Sequence, residues 1–286
     1  MTNDIFTIGR HPLVSTADAM PKQVMLLVCP CRSGSTIMLR AFGHAGVAAF
    51  FQPIKNALRW GLLGERRPWE VPSEIDQKTV FLKETFGPFR LEETTYDPLE
   101  CLLAVGLPAE RINLVVLMRD PAAVWLSWQK HWSAQTSPTL FADAWHACLK
   151  CVKTARAHGV SVQSLRHAQF SAEPLLAMRS LFEMLNLDFP AEALDDWIEK
   201  QGFGEAGSGV FMPDEPDVFV TPGAHDPVIA ARRIHPIASN GSLDATDRML
   251  LKRAGAIDAY HALSQELAVC DHIQTVHGKD CVDDVC

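Results

Sequence analysis

Apolar residues fall along this chain in two rhythms. Short apolar-rich stretches read as strands: residues 24–29 and 47–51, which are unbroken, and 79–83, 112–118 and about 160–165, which carry polar interruptions. Between them the apolar positions recur every three or four residues. That period predicts helices over 35–45, about 54–63, 97–106, 121–133 and 139–158. On the last of these, Phe141, Trp145, Cys148, Val152 and Ala155 share one face. Strands alternating with helices predict an α/β fold with a parallel central sheet flanked by helices. Ser171-Ala172-Glu173-Pro174 predicts the capped start of a further helix to about Asn186, and Pro190 the start of another to about Lys200. Residues 202–241 lose the period and are rich in Gly and Pro, which makes them a candidate lid. A helix then resumes from about Ser242 to Val269. The expectation is a single domain over 1–286, with a flexible N-terminal segment 1–22 and a flexible acidic tail 271–286.

The first strand runs into Cys29-Pro30-Cys31-Arg32-Ser33-Gly34-Ser35-Thr36, and a helix follows. A strand, a small-residue loop and a helix in that order make an anion cradle. Loop N–H groups and the positive end of the helix dipole point at whatever sits there. Arg32 lies inside the loop, within reach of the same anion. An ATP-type loop requires Gly, four residues, then Gly-Lys-Ser/Thr. Here no Lys follows Gly34, and Cys29 stands where the leading Gly would be. A second segment, Ile112 to Met118, ends in Arg119-Asp120-Pro121 and opens a helix through Ser127. Asp120 suits an N-cap and Pro121 a first helical position. Arg119 at a strand end and Ser127 two turns into the helix can converge on one phosphate, which an arginine fork binds bidentately.

Both segments resemble motifs of the sulfotransferases that use 3′-phosphoadenosine-5′-phosphosulfate (PAPS). The first is similar to their 5′-phosphosulfate loop, with Cys31 as one extra residue between Pro30 and Arg32. The second is similar to their 3′-phosphate motif, an Arg-Asp/Asn-Pro with a Ser eight residues after the Arg. The resemblance spans roughly residues 23–187. It implies PAPS as co-substrate, with no metal, and in-line transfer of its sulfo group to a hydroxyl, or in second place an amine, of a small-molecule acceptor. It implies that Arg32 stands beside the bridging oxygen and that Ser33, Gly34, Ser35 and Thr36 hold the 5′-phosphate. Arg119 and Ser127 would hold the 3′-phosphate. Arg232 and Arg233 are the nearest counterpart of a C-terminal basic segment that grips the same group.

The general base is less direct. Family members use His or Glu to deprotonate the acceptor. In the segment Leu82-Lys83-Glu84-Thr85, Lys83 matches a strand-end Lys of the family, and Thr85 stands where its His would be. Glu84 is the expected base, although strand parity points it to the other face unless the strand end bends. Gln52, in the other place where relatives carry an acid, cannot act as a base. His131, His44 and His235 are the remaining candidate proton acceptors. Trp60, Trp69 and Phe86 to Phe89 lie near loops after strands, where an apolar acceptor pocket would form.

Composition narrows the class. A net charge of −8 with 48% hydrophobic and 21% charged residues fits a globular protein and argues against nonspecific nucleic-acid binding. No run approaches a membrane span and residues 1–22 lack an apolar signal core, so the expected location is cytoplasmic with reduced thiols. Of eight cysteines, Cys148 and Cys151 form a C-x-x-C inside a helical pattern with no second ligand pair, which reads as core packing rather than zinc. The rival functions are a noncatalytic nucleotide-binding relative and a kinase-like phosphotransferase of P-loop type.

Overall fold

The computed structural model describes residues 7–8, 11–15, 20–72, 75, 77–194, 208–223 and 242–279, with side chains of the last helix through residue 268. After a two-strand antiparallel pair, β1 (Thr7–Ile8) and β2 (His11–Pro12), six strands form one sheet. They are β3 (Gln23–Pro30), β4 (Ala48–Phe51), β5 (Thr79–Phe86), β6 (Ile112–Met118), β7 (Ser161–Arg166) and β8 (Val210–Phe211). Their order is β7-β6-β3-β5-β4-β8 and every pairing is parallel. The helices are α1 (Ser35–His44), α2 (Pro53–Leu62), α3 (Pro98–Ala104), α4 (Pro121–Trp132), α5 (Pro138–His158), α6 (His167–Ala172) and α7 (Pro174–Met184), followed by Ala245–Arg253 and Ala256–Lys279. The α/β reading with a parallel, helix-flanked sheet therefore holds.

Strand alternation builds the two faces. Met25, Leu27 and Cys29 of β3 pack with α1 and α7. There Phe42 stacks on Phe81 and Phe182 at 4.1 and 4.8 Å between ring centres. Val24, Leu26 and Val28 pack on the opposite face with α2 to α5 and the two C-terminal helices. A sheet covered on both faces favours strands apolar at nearly every position, which is why Val24 to Cys29 in β3 and Leu114 to Met118 in β6 read as unbroken apolar runs. Local signals start the helices: the Asp97 carboxylate accepts from the N–H groups of Leu99 and Glu100, Asp120 from Ala122, and Ser137 from Leu140.

Four expectations need correction. The N-terminal segment is not wholly loose, since Leu13 and Val14 are buried and the backbone pairs with Trp69. The C-terminal helix breaks at Gly255, whose φ of +79° ends one helix before the next begins. It then runs to Lys279, so residues 271–279 of the expected tail are helical. Ser171 does not cap α7: it lies inside α6, and Glu173 precedes Pro174. Residues 280–286 lie outside the described residues, and so does the predicted helix beyond a short turn at Ala191–Leu194. No helix among the described residues is long and apolar enough to cross a membrane.

Candidate active site at the carboxyl ends of the strands

The central strand β3 is flanked by β5 and β6, and its register sets Cys29 beside Thr85 and Pro30 beside Phe86. Its connection through α1 runs to β4 on one side, while β6 lies on the other. Open parallel sheets form a ligand crevice beyond the strand ends at such a reversal. The loop Cys31 to Gly34 sits there. Cys31 N–H donates to Phe86 O at 3.0 Å, and the Trp128 indole donates to Cys31 O at 2.8 Å. Ser33 Oγ turns inward onto Pro30 O at 2.8 Å and is fully buried. Arg32 and Gly34 both have positive φ, 70° and 99°. Gly34 is required twice. Its conformation favours glycine, and a Cβ there would meet His167 Cδ2 at 2.6 Å. No side chain caps α1 and no acid lies in its first turn, so its N–H groups stay open to an anion.

The second segment reaches the same spot. Arg119, just past β6, donates from Nη1 to Arg32 O at 2.7 Å. Arg32 in turn donates from Nε to Ser127 Oγ at 3.0 Å, and its Nη2 lies 3.2 Å from His131 Nε2. Arg32, Gly34, Ser35, Thr36, Arg119 and Lys83 line one cavity. Two expected residues contact the cluster without lining it: Ser33, buried on Pro30, and Ser127, bonded to Arg32. Arg232, Arg233 and His235 lie outside the described residues.

Burial lowers the guanidinium values of both Arg32 and Arg119, and the Arg32 charge lowers that of Arg119 further. His167 is held at about 4 by burial and by Arg119. His131 is also lowered, by burial first and then by Arg32 and Lys130. Lys83 is lowered to about 8, mainly by burial. Its ammonium lies 3.6 Å from the centre of the Phe51 ring. Among the described residues neither Arg119 nor Lys83 forms an ion pair. Crowded, half-desolvated positive charge around an open helix N-terminus fits a phosphate or sulfate ester, which relieves the repulsion it meets.

Glu84 is a correction. Strand β5 stays regular through Phe86, so parity holds and the carboxylate points away from the cavity. Glu84 Oε1 accepts from Ile54 N–H at 2.8 Å. Oε2 accepts from Lys55 N–H at 3.2 Å and from the Tyr96 hydroxyl at 3.0 Å. It ties down the start of α2, and burial pushes its carboxyl up to about 7. Thr85 and Gln52 do face the cavity, hydrogen-bonded to each other.

Several site residues carry no sequence motif. Lys55, fully buried, donates to Gly87 O and lies 3.6 Å from Cys31 Sγ. Cys31 also hydrogen-bonds Gly87 O at 3.0 Å and Thr85 Oγ1 at 3.1 Å. Arg59 joins the buried Glu93 to Glu215, at 2.7 Å each. The only advance signal was that Lys55 and Arg59 share a helix face at i and i+4. The expected apolar wall is present with a changed membership. Phe89, Trp132 and Phe219 line the cavity, whereas Phe86 is core. Trp60 and Trp69 border a separate groove. Part of the candidate lid, residues 208–223, adds the edge strand β8 and walls the cavity through Glu215, Phe219, Val220 and Thr221. The rest of 202–241 lies outside the described residues. Cys148 and Cys151 are buried core thiols. Among the described residues no group of three or more His, Cys, Asp or Glu is placed to hold a metal ion.

No protein-family model matches the chain, and no curated protein does. Among solved structures it is similar to the sulfotransferase domain from the Synechococcus PCC 7002 olefin synthase. The identity is 13% and the TM-score 0.45, over 84% of this chain and 97% of that one. It is also similar to the sulfotransferase domain from the curacin biosynthetic pathway, at 12% identity and a TM-score of 0.49, over 85% and 99% of the two chains.

Proposed function

We propose that the chain is a sulfotransferase that moves the sulfo group of PAPS to a hydroxyl, or in second place an amine, of a small-molecule acceptor. The observation that carries this reading is the 2.7 Å bond from Arg119 to Arg32 O. It joins two anion-binding segments, far apart in sequence, at the open N-terminus of one helix. A single phosphate site needs one of them; a ligand with phosphate groups at both ends of a nucleoside needs both.

In this reading the N–H groups of Ser33 to Thr36 hold the 5′-phosphate. Arg119 holds the 3′-phosphate with the part of its fork that Arg32 O does not occupy. Ser127 and His131 fix the Arg32 fork so that its charge faces the bridging oxygen. Lys83 adds a second positive charge to the same cavity. The co-substrate supplies an activated sulfo group. The chain's own residues supply position and charge, which is what in-line transfer of a charged group asks of a protein. Phe89, Trp132 and Phe219 offer the acceptor an apolar wall and keep water from competing with it.

Calorimetric titration tests the reading. The wild type is expected to bind 3′,5′-adenosine bisphosphate roughly 10–100-fold more tightly than 5′-AMP, the worth of one charge-assisted contact to the extra phosphate. Arg119→Ala should abolish most of that preference. Equal affinity for the two nucleotides in the wild type would remove the 3′-phosphate assignment. Preference for ATP would favour a phosphotransferase.

A further inference from the structure

We propose that Glu215 is the general base of the transfer, the carboxylate that takes the proton from the acceptor hydroxyl. The assignment rests on the sulfotransferase reading and adds a residue that neither motif contains. Among the described residues lining the cavity, Glu215 is the one carboxylate. The arginines there, Arg32, Arg59 and Arg119, do not give up their protons. The Cys31 thiol is engaged with Gly87 O. Lys83 serves best as a cation facing the anion. Glu84 is consumed at the start of α2, and His131 is engaged with Arg32.

Glu215 is held as a positioned base needs to be. Its Oε1 accepts from Arg59 Nη1 at 2.7 Å, and Arg59 Nε is committed to the buried Glu93. One guanidinium thus bridges two carboxylates and holds Glu215 in place through Oε1 alone. The guanidinium also sits 5.5 and 5.1 Å from the ring centres of Phe89 and Phe219, which fixes it against the apolar wall. Oε2 makes no hydrogen bond with any described residue. The side chain is 17% exposed, open to the cavity and largely shielded from bulk water. Its backbone is anchored too: Asp214 O accepts from the Trp60 indole at 2.8 Å and from Asn56 Nδ2 at 3.1 Å.

The step balances. The acceptor oxygen forms its bond to sulfur as the bond from sulfur to the 5′-phosphate oxygen breaks. The acceptor proton passes to Glu215 Oε2. The electron pair of the broken bond stays on the phosphate oxygen, facing Arg32 and the start of α1. The sulfate ester and 3′,5′-adenosine bisphosphate leave, and Glu215 returns its proton to water.

The test compares two acceptor probes with PAPS. 4-Nitrophenol is already ionised at mildly alkaline pH and needs no base; benzyl alcohol needs one. E215Q is expected to lower turnover of benzyl alcohol by about 10²-fold or more and of 4-nitrophenol by less than about threefold. E215D should recover part of the loss, and affinity for the bisphosphate should not change. A carboxylate that merely anchors Arg59 would depress both acceptors alike, and that equal loss overturns the assignment. So does undiminished sulfation of benzyl alcohol by E215Q, or a wild type that binds the bisphosphate but sulfates neither probe. Failure of the wild type to bind the bisphosphate is a different result and removes the sulfotransferase reading itself.

Discussion

Gly34→Ala perturbs the cradle at its tightest point, and the structure separates the two costs involved. The first is conformational. Gly34 has φ of +99°, and placing a Cβ in the left-handed region costs about 1–2 kcal/mol. The second is steric. The new Cβ would lie 2.6 Å from His167 Cδ2, a separation that real atoms do not tolerate. His167 is itself buried, so it has little room to retreat. Overpacking of this kind costs about 1–3 kcal/mol. Gly46, two residues beyond α1, supplies the control. Its φ is +82°, yet a Cβ there would meet nothing within 4 Å, so Gly46→Ala carries the first cost alone. Urea unfolding should therefore rank Gly34→Ala below Gly46→Ala by roughly 1–3 kcal/mol. If the loop shifts instead, the loss should appear in calorimetry as weaker binding of 3′,5′-adenosine bisphosphate, about tenfold per 1.4 kcal/mol. Combining Gly34→Ala with His167→Ala should return most of the steric part, a coupling well beyond the ~0.5 kcal/mol scatter of independent sites. Gly34→Ala indistinguishable from Gly46→Ala in both assays would refute the contact and the cradle built on it.

Two further predictions concern charge. Arg32→Ala should reduce turnover by about 10²–10³ while weakening bisphosphate binding far less, because its charge counts most where the leaving oxygen develops its own; steady-state kinetics beside calorimetry would show the split, and near-normal turnover would dismiss the role. Glu84, raised to about 7 by burial, keeps its proton in the folded chain over a range where the unfolded chain has released it. Stability should therefore fall as pH rises from about 4.5 to about 7, by up to about 3 kcal/mol, and this part of the slope should vanish in Glu84→Gln. A slope unchanged in the variant would show that Glu84 ionises as freely folded as unfolded.

Which of these features the sequence announces follows from how far each depends on distant partners. The strands and most helices are local statements: a run such as Val24 to Cys29 is apolar at every position because both faces are covered, and Asp120-Pro121 starts α4 with atoms of its own turn. The spacing of Arg119 and Ser127 is equally local, since eight residues of strand end and helix bring both to Arg32. Strand parity, taken at face value, also says that Glu84 turns away from the cavity; only an assumed bend at the end of β5 made it a base, and the strand does not bend before Phe86.

The rest of the site is set by the order of strands, which no short window contains. His167 closes over Gly34 because β7 ends beside β6, so a residue with no motif around it becomes the lid of the tightest turn. Val210-Phe211 is too short to read as a strand, and it becomes one because β4 would otherwise be an open edge. That pairing carries residues 212–221 across the mouth of the crevice and delivers Glu215 to Arg59. A Gly- and Pro-rich segment reads as structureless because its partners lie elsewhere in the chain. The same dependence lets it bring a carboxylate to a cavity whose other charged lining groups are all positive. Arg32 to Thr36 and Arg119 are thus encoded next to the strands that position them, and Glu215, Phe219, Val220 and Thr221 by a segment whose position only the completed sheet determines.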